Sequence, residues 1–210
     1  MRGSYSPEFT AELMDLMRWR RDVRRFRRDP VAAAVLGRCL TAFGLAPSVG
    51  LSEPWRLIRV ESPAARAAAL ANFQAANAQA LAGYVDEKAK IYSQLKLSGM
   101  RESPVQLAVF CDDATAKGAG LGAATMPETR AYSVVGAITL FWLAARAEGL
   151  GVGWVSILDA ARLARDLGAP GDWRLIGYLC VGWPEAIENT PELERAGWEK
   201  RNPALWMESR

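Results

Sequence analysis

The sequence predicts an α+β domain, and three observations carry that reading. Short apolar runs of strand length alternate with helical stretches, and Gly or Pro punctuates nearly every junction. One long stretch, residues 128–148, is apolar on almost all sides and must be buried, at a domain centre or in a subunit interface. At 210 residues and 50% apolar composition, the chain can bury the core of one domain spanning residues 1–210.

In chain order, residues 8–19 read as a short helix with apolar positions at Leu13, Leu16 and Met17. A basic segment follows and Pro30 breaks it. Pro30 also suits the first turn of a helix over 31–43, with Asp29 as its N-cap. Residues 46–54 form a turn-rich loop, and 55–61 alternate toward a strand. Ser62-Pro63 opens an alanine-rich helix to about residue 81. Residues 84–97 form a charged amphipathic helix closed by Ser98-Gly99. Residues 105–111 make a strand apolar enough to be buried on both faces. After a glycine loop at 118–122 and the long apolar helix, 151–157 read as a second buried strand. A short helix over 160–167 stops at Gly168 and Pro170, and 175–181 are the last core strand. From Pro184 the tail has no period and is expected to run over another surface, such as that of a partner subunit.

Composition excludes several chemistries. The chain contains no histidine, which removes Ser-His-Asp triads, Cys-His nucleophiles and nearly every catalytic zinc arrangement. Carboxylates, hydroxyls, backbone amides or a bound organic molecule must do the work. No run approaches the roughly 18 apolar residues of a membrane span. Residues 1–10 lack the layout of a secretory signal. The expectation is a cytoplasmic protein whose Cys39, Cys111 and Cys180 are buried, reduced thiols.

Seven arginines fall within eleven residues: Arg18, Arg20, Arg21, Arg24, Arg25, Arg27 and Arg28, with Asp22 the one acid among them. That segment carries +6 against +3 for the whole chain, so the remainder is net −3. Guanidinium forks at this density suit a phosphate or another compact anion. The alternatives are a solvated basic turn and a nucleic-acid footprint, and the net acidic remainder argues against the second. Three further segments stand out. Pro47-Ser48-Val49-Gly50 can present backbone amides to an anion, although by itself it is an ordinary loop. Gly151-Val152-Gly153-Trp154-Val155-Ser156 permits close approach of a flat ligand or is merely a glycine-eased strand. Lys200-Arg201 alone is a surface pair.

Taken in order, these segments resemble the nitroreductase family of flavin proteins over roughly residues 13–202. Arg20-Arg21-Asp22-Val23-Arg24 matches the family's opening arginine motif. Pro47-Ser48-Val49-Gly50 through Pro54-Trp55 matches its serine loop, residues 149–154 its Gly-Xaa-Gly strand, and Arg201 its C-terminal basic residue. Three stretches narrow the resemblance to a flavin-destroying branch. They are the arginine motif with Asp22 in place of the usual Ser or Thr, the lid-like run 95–104 around Leu97, and the run 149–157 that supplies Ser156. One departure is Ser52-Glu53, where the family pattern has Gln before Pro-Trp; the contact made by Glu53 is left open.

The resemblance implies a central mixed sheet flanked by helices in a homodimer with a domain-swapped C-terminal extension, about 184–210, and a lid at about 84–104. It implies FMN at the subunit interface, bound by Arg20, Arg21, Asp22, Val23, Arg24, Pro47, Ser48, Gly50, Leu97, Gly153, Ser156 and Arg201, with the phosphate on Arg20 and Arg201. The implied reaction consumes reduced FMN, delivered by a separate flavin reductase, and dioxygen. Its products are 5,6-dimethylbenzimidazole, for the cobalamin lower ligand, and erythrose 4-phosphate. Asp22 and Ser156 would be catalytic: Asp22 would carry protons, and Ser156 would hydrogen-bond near the flavin ring. No metal, nucleic acid or membrane is implied. The second reading is an NAD(P)H-dependent nitroreductase or flavin reductase that keeps its FMN; Asp22 and the segment at Leu97 weigh against it.

Overall fold

The computed structural model describes residues 3–210. Its centre is a four-stranded sheet in the order β1-β2-β4-β3, with β1 at Trp55–Arg59, β2 at Val105–Asp112, β3 at Gly151–Val155 and β4 at Trp173–Gly182. All three strand pairs are antiparallel. The parallel component of the expected mixed sheet is a one-residue bridge between Asp22 and Val152.

Strand β2 explains the architecture. Its alternate residues Val105, Leu107, Val109 and Cys111 enter one core, with α5 (Thr129–Ala147) and α2 (Ala33–Leu40) against them. Ala108 and Phe110 enter the other, covered by α3 (Pro63–Ala82) and α6 (Ala160–Asp166). Because successive strand side chains point to opposite faces, a sheet with helices on both sides requires a continuous apolar run. The run at 105–111 satisfies that need except at Gln106, whose buried amide donates to Met100 O at 2.6 Å and accepts from Tyr178 at 2.5 Å.

The long helix α5 buries Val134, Ala137, Ile138, Phe141 and Trp142, while Tyr132 and Val135 face outward. Helix α1 (Pro7–Trp19) is capped by Ser6, whose hydroxyl accepts from the Phe9 amide at 3.2 Å, and buries none of its residues. Ser62 caps α3 in the expected way, accepting from Ala65 N at 3.1 Å.

Two boundaries differ from expectation. Helix α2 begins at Ala33 with Ala32 as an N-cap that makes no side-chain bond. Asp29 instead faces Arg27 at 3.3 Å, and the last predicted turn tightens into a 3-10 segment, Thr41–Leu45. Helix α4 is shorter than residues 84–97, covering Asp86–Gln94. Beyond Gln94 the chain extends, because Leu97 turns onto the second core and the Lys96 carbonyl accepts from Arg24.

The tail folds back on its own chain as far as residue 201. Phe26 bridges Pro184, Arg25 meets Glu192 of the one-turn helix α7 (Glu192–Arg195) at 2.5 Å, and Trp198 packs on Tyr84 and under Lys88. Residues 202–210 are exposed, Trp206 at 86%. No helix among the described residues is long and apolar enough to cross a membrane.

Candidate active site

The arginine segment leaves α1 at Arg20 and crosses the edge of the sheet beside β3. Val23 N donates to the Val152 carbonyl at 3.0 Å, which aligns residues 22–24 with the strand. The two glycines of β3 make that approach possible. A methyl at Gly151 would stand 2.7 Å from the Val23 side chain, and one at Gly153 only 2.1 Å from the Val23 carbonyl oxygen. The spacing in Gly151-Val152-Gly153 therefore serves contact with the chain's own arginine motif.

Asp22 is held at both oxygens. Oδ1 accepts from the Trp154 amide at 2.9 Å, and Oδ2 accepts from Arg24 Nε at 2.8 Å. The carboxylate is 33% exposed. Arg24 also reaches the Lys96 carbonyl, with Nη1 at 3.4 Å.

The arginines are less alone than their density suggests. Arg18, Arg24, Arg25 and Arg27 each pair with a carboxylate, on Asp15, Asp22, Glu192 and Asp29. Arg21 donates to the carbonyls of Arg20 and Asn189. Burial first, then the charges of Arg20 and Arg201, hold its guanidinium below its ordinary value. Arg20 stacks 4.9 Å over Trp142 and, like Arg201, pairs with no carboxylate among the described residues. Arg20, Arg21, Asp22, Arg24 and Arg201 line one cavity of about 250 Å³ together with Pro191, Glu192 and Leu193. Two guanidinium groups without acidic partners facing one cavity make an anion site.

The remaining expected residues divide. Val23 and Gly153 lie against each other beside this cavity. Leu97 follows Lys96, whose carbonyl Arg24 holds. Ser156 is exposed two residues past Trp154, its hydroxyl without a side-chain hydrogen bond among the described residues. Pro47, Ser48 and Gly50 do not line the arginine cavity. Ser48 Oγ accepts from Glu53 N at 3.1 Å, and Gly50, at φ 58°, packs against the loop at Gly118 and Leu121. Glu53 pairs with Lys117, which settles the contact left open by the sequence.

Sequence reasoning missed Trp142, which supports Arg20, and Glu192, which pairs Arg25 from the tail. Trp142 sits among apolar neighbours with nothing to separate it from core. The carbonyls of Asn189 and Lys96 carry no residue signal at all. Among the described residues no group of three or more Cys, Asp or Glu is arranged to hold a metal.

Comparison with known proteins agrees with this geometry. The sequence model of the nitroreductase family matches residues 17–183. The chain is 52% identical to a 5,6-dimethylbenzimidazole synthase of Rhodospirillum rubrum, over 95% of this chain and 94% of that protein. It is 51% identical to a 5,6-dimethylbenzimidazole synthase of Rhodobacter capsulatus, over 92% and 94%. Among solved structures, an iodotyrosine deiodinase bound to FMN and 3-iodo-L-tyrosine superposes with a TM-score of 0.76 at 21% identity, covering 94% of this chain and 99% of that one. At that identity the likeness bears on fold. The chain belongs to the nitroreductase family, and within it to the 5,6-dimethylbenzimidazole synthases.

Proposed function

We propose that the protein fragments reduced FMN with dioxygen, yielding 5,6-dimethylbenzimidazole and erythrose 4-phosphate. The observation that carries this reading is Asp22, a carboxylate in the middle of an arginine motif, fixed at both oxygens beside a cavity lined by Arg20 and Arg201. Half identity to two synthases of that product supports it.

The residues present fit FMN. Arg20 and Arg201, without carboxylate partners, would take its phosphate, and the exposed Ser156 hydroxyl is available to its ring. When bound, the reduced flavin supplies both the electrons for dioxygen and the carbon skeleton of the products.

The chain's own part is positioning and proton handling. With Oδ1 and Oδ2 tied down, Asp22 has a fixed carboxylate plane and free lone pairs to accept a proton and return it. Residues 84–104 would form the lid, with Leu97 limiting water at the ring. The acting unit would be a homodimer. Exposed Phe9, Met14 and Met17 on α1, with Tyr132 and Val135 on α5, supply apolar surface for a second copy. The loop at Pro47, Ser48 and Gly50 would then meet the flavin from the second chain, and the C-terminal extension, about 184–210, would be the swapped element, with its exposed residues 202–210 reaching furthest.

Asp22→Asn tests the assignment. The variant should bind FMN as the parent does and yield no 5,6-dimethylbenzimidazole; a parental yield would remove Asp22 from the reaction. Ser156→Ala should slow or misdirect the reaction, and unchanged kinetics would reduce Ser156 to packing.

A further inference from the structure

We propose that Arg24 is a positioning residue that locks the Asp22 carboxylate to the segment bearing Leu97, and that it is not a ligand of the flavin phosphate. What Asp22 does chemically rests on the function proposed above; the lock itself rests on geometry.

Two edges of the Arg24 guanidinium are engaged. Nε donates to Asp22 Oδ2 at 2.8 Å, and Nη1 donates to the Lys96 carbonyl at 3.4 Å. The side chain is only 13% exposed, against 33% for the carboxylate it holds. A planar fork can satisfy two acceptors from different segments at once, which a lysine ammonium on a flexible stem does poorly. Arg20 and Arg201, facing the same cavity without carboxylate partners, are the better phosphate ligands.

The segment that Arg24 grips lies between two fixed points; before it, Tyr92 is buried and donates to Asn77 Oδ1 at 2.8 Å. Beyond it, Met100 O accepts from Gln106 Nε2 at 2.6 Å, and Gln106 Oε1 accepts from Tyr178 at 2.5 Å, deep in the core. Arg66 holds the Ser103 and Pro104 carbonyls at 3.2 and 2.7 Å. Gly99 lies so close to Phe26 that a methyl there would stand 2.3 Å from its ring. Residues 95–98 therefore form a short span between α4 and a fixed anchor. Their tie to the active site is Arg24 at the Lys96 carbonyl; the Lys96–Glu102 pair at 2.7 Å ties them to the anchor. When this span lifts, Arg24 loses one acceptor, and the guanidinium that restrains Asp22 Oδ2 is itself less restrained. Seating Leu97 and steadying the guanidinium that holds Asp22 Oδ2 are thereby linked, while the Trp154 amide holds Oδ1 independently.

The test uses this whole chain with Arg24→Gln and Arg24→Lys. Quenching of flavin fluorescence gives affinities for FMN and riboflavin, whose ratio reports the phosphate contribution. The expected result for Arg24→Gln is a ratio within about twofold of the parent, because the phosphate contacts remain. At saturating reduced FMN its product formation should fall roughly 100-fold, the scale of an ångström-level misplacement, with KM little changed. Tryptic cleavage after Lys96 should accelerate by about tenfold as the span opens more often. Arg24→Lys should not restore the rate.

A collapse of the FMN-to-riboflavin ratio, a parental rate of product formation in Arg24→Gln, or rescue by Arg24→Lys would overturn the proposal. If the parent itself makes no 5,6-dimethylbenzimidazole, the proposed function fails. The affinity ratio and the cleavage rate then decide the role of Arg24 on their own.

Discussion

Gly153→Ala should dislodge the arginine motif. The added methyl would stand 2.1 Å from the Val23 carbonyl oxygen, whereas a carbon–oxygen contact settles near about 3.3 Å. The motif must retreat by about 1 Å, since neither partner is the far end of a flexible side chain. Overpacking of this kind costs about 1–3 kcal/mol. The retreat also strains Val23 N to Val152 O and Trp154 N to Asp22 Oδ1, at 3.0 and 2.9 Å, each contributing about 0.5–1.5 kcal/mol. Replacing glycine stiffens the unfolded chain and returns about 0.4–1 kcal/mol. The net loss is about 2–4 kcal/mol, or a melting temperature lower by roughly 5–15 °C for a chain of this size. Scanning calorimetry at matched protein concentration measures it. Gly37→Ala is the control: it lies in helix α2 with nothing within 4 Å of its new methyl, and should stabilise by about 0.5–1 kcal/mol. A Gly153→Ala protein that melts with the parent and still forms product would refute the reasoning.

Other outcomes follow from the same geometry. Arg20→Ala and Arg201→Ala should each weaken FMN by about 1.5–3 kcal/mol while leaving riboflavin binding nearly unchanged, measured by fluorescence quenching. Equal losses for both flavins would move the phosphate elsewhere. Burial, reinforced at Cys111 by Asp113, pushes the Cys111 and Cys180 thiols from 9.0 up to about 12. The unfolded chain ionises first as pH rises, so their contribution to stability is complete below about pH 9 and is lost between about 9 and 12. The urea midpoint should fall across that alkaline window, and a midpoint unchanged to about pH 11 would contradict the burial. Trp198→Ala removes the aromatic and cationic contacts with Tyr84 and Lys88, and should raise proteolysis in α4 without changing the melting of the sheet. Unchanged cleavage there would mean that the tail does not support α4.

The sheet and its helices were legible because each rule acts locally. The largely apolar run at 105–111, broken only by Gln106, demands cover on both faces, and Ser62-Pro63 is both cap and first turn of α3. What escaped was decided by contacts distant in sequence. Asp29 has the chemistry of a cap, yet Arg27 takes it and the helix starts later. Gly153 reads as room for a ligand, although the Val23 carbonyl occupies that room within the chain. The arginines read as unpaired, but Asp15, Asp29 and Glu192 compensate three of them and Asp22 a fourth. The cavity that remains is framed by Arg20 and Arg201, residues 181 positions apart in the chain. Only the family pattern joined those two before the fold did.

The central claim is that reduced FMN is consumed as a substrate. It is tested most directly by mixing the protein with FMN, a reductant and air, then resolving the products by chromatography. The account predicts a 5,6-dimethylbenzimidazole peak that requires both the protein and dioxygen, and that disappears with Asp22→Asn. FMN recovered intact while NADPH is consumed would contradict it and make the protein a conventional flavin reductase.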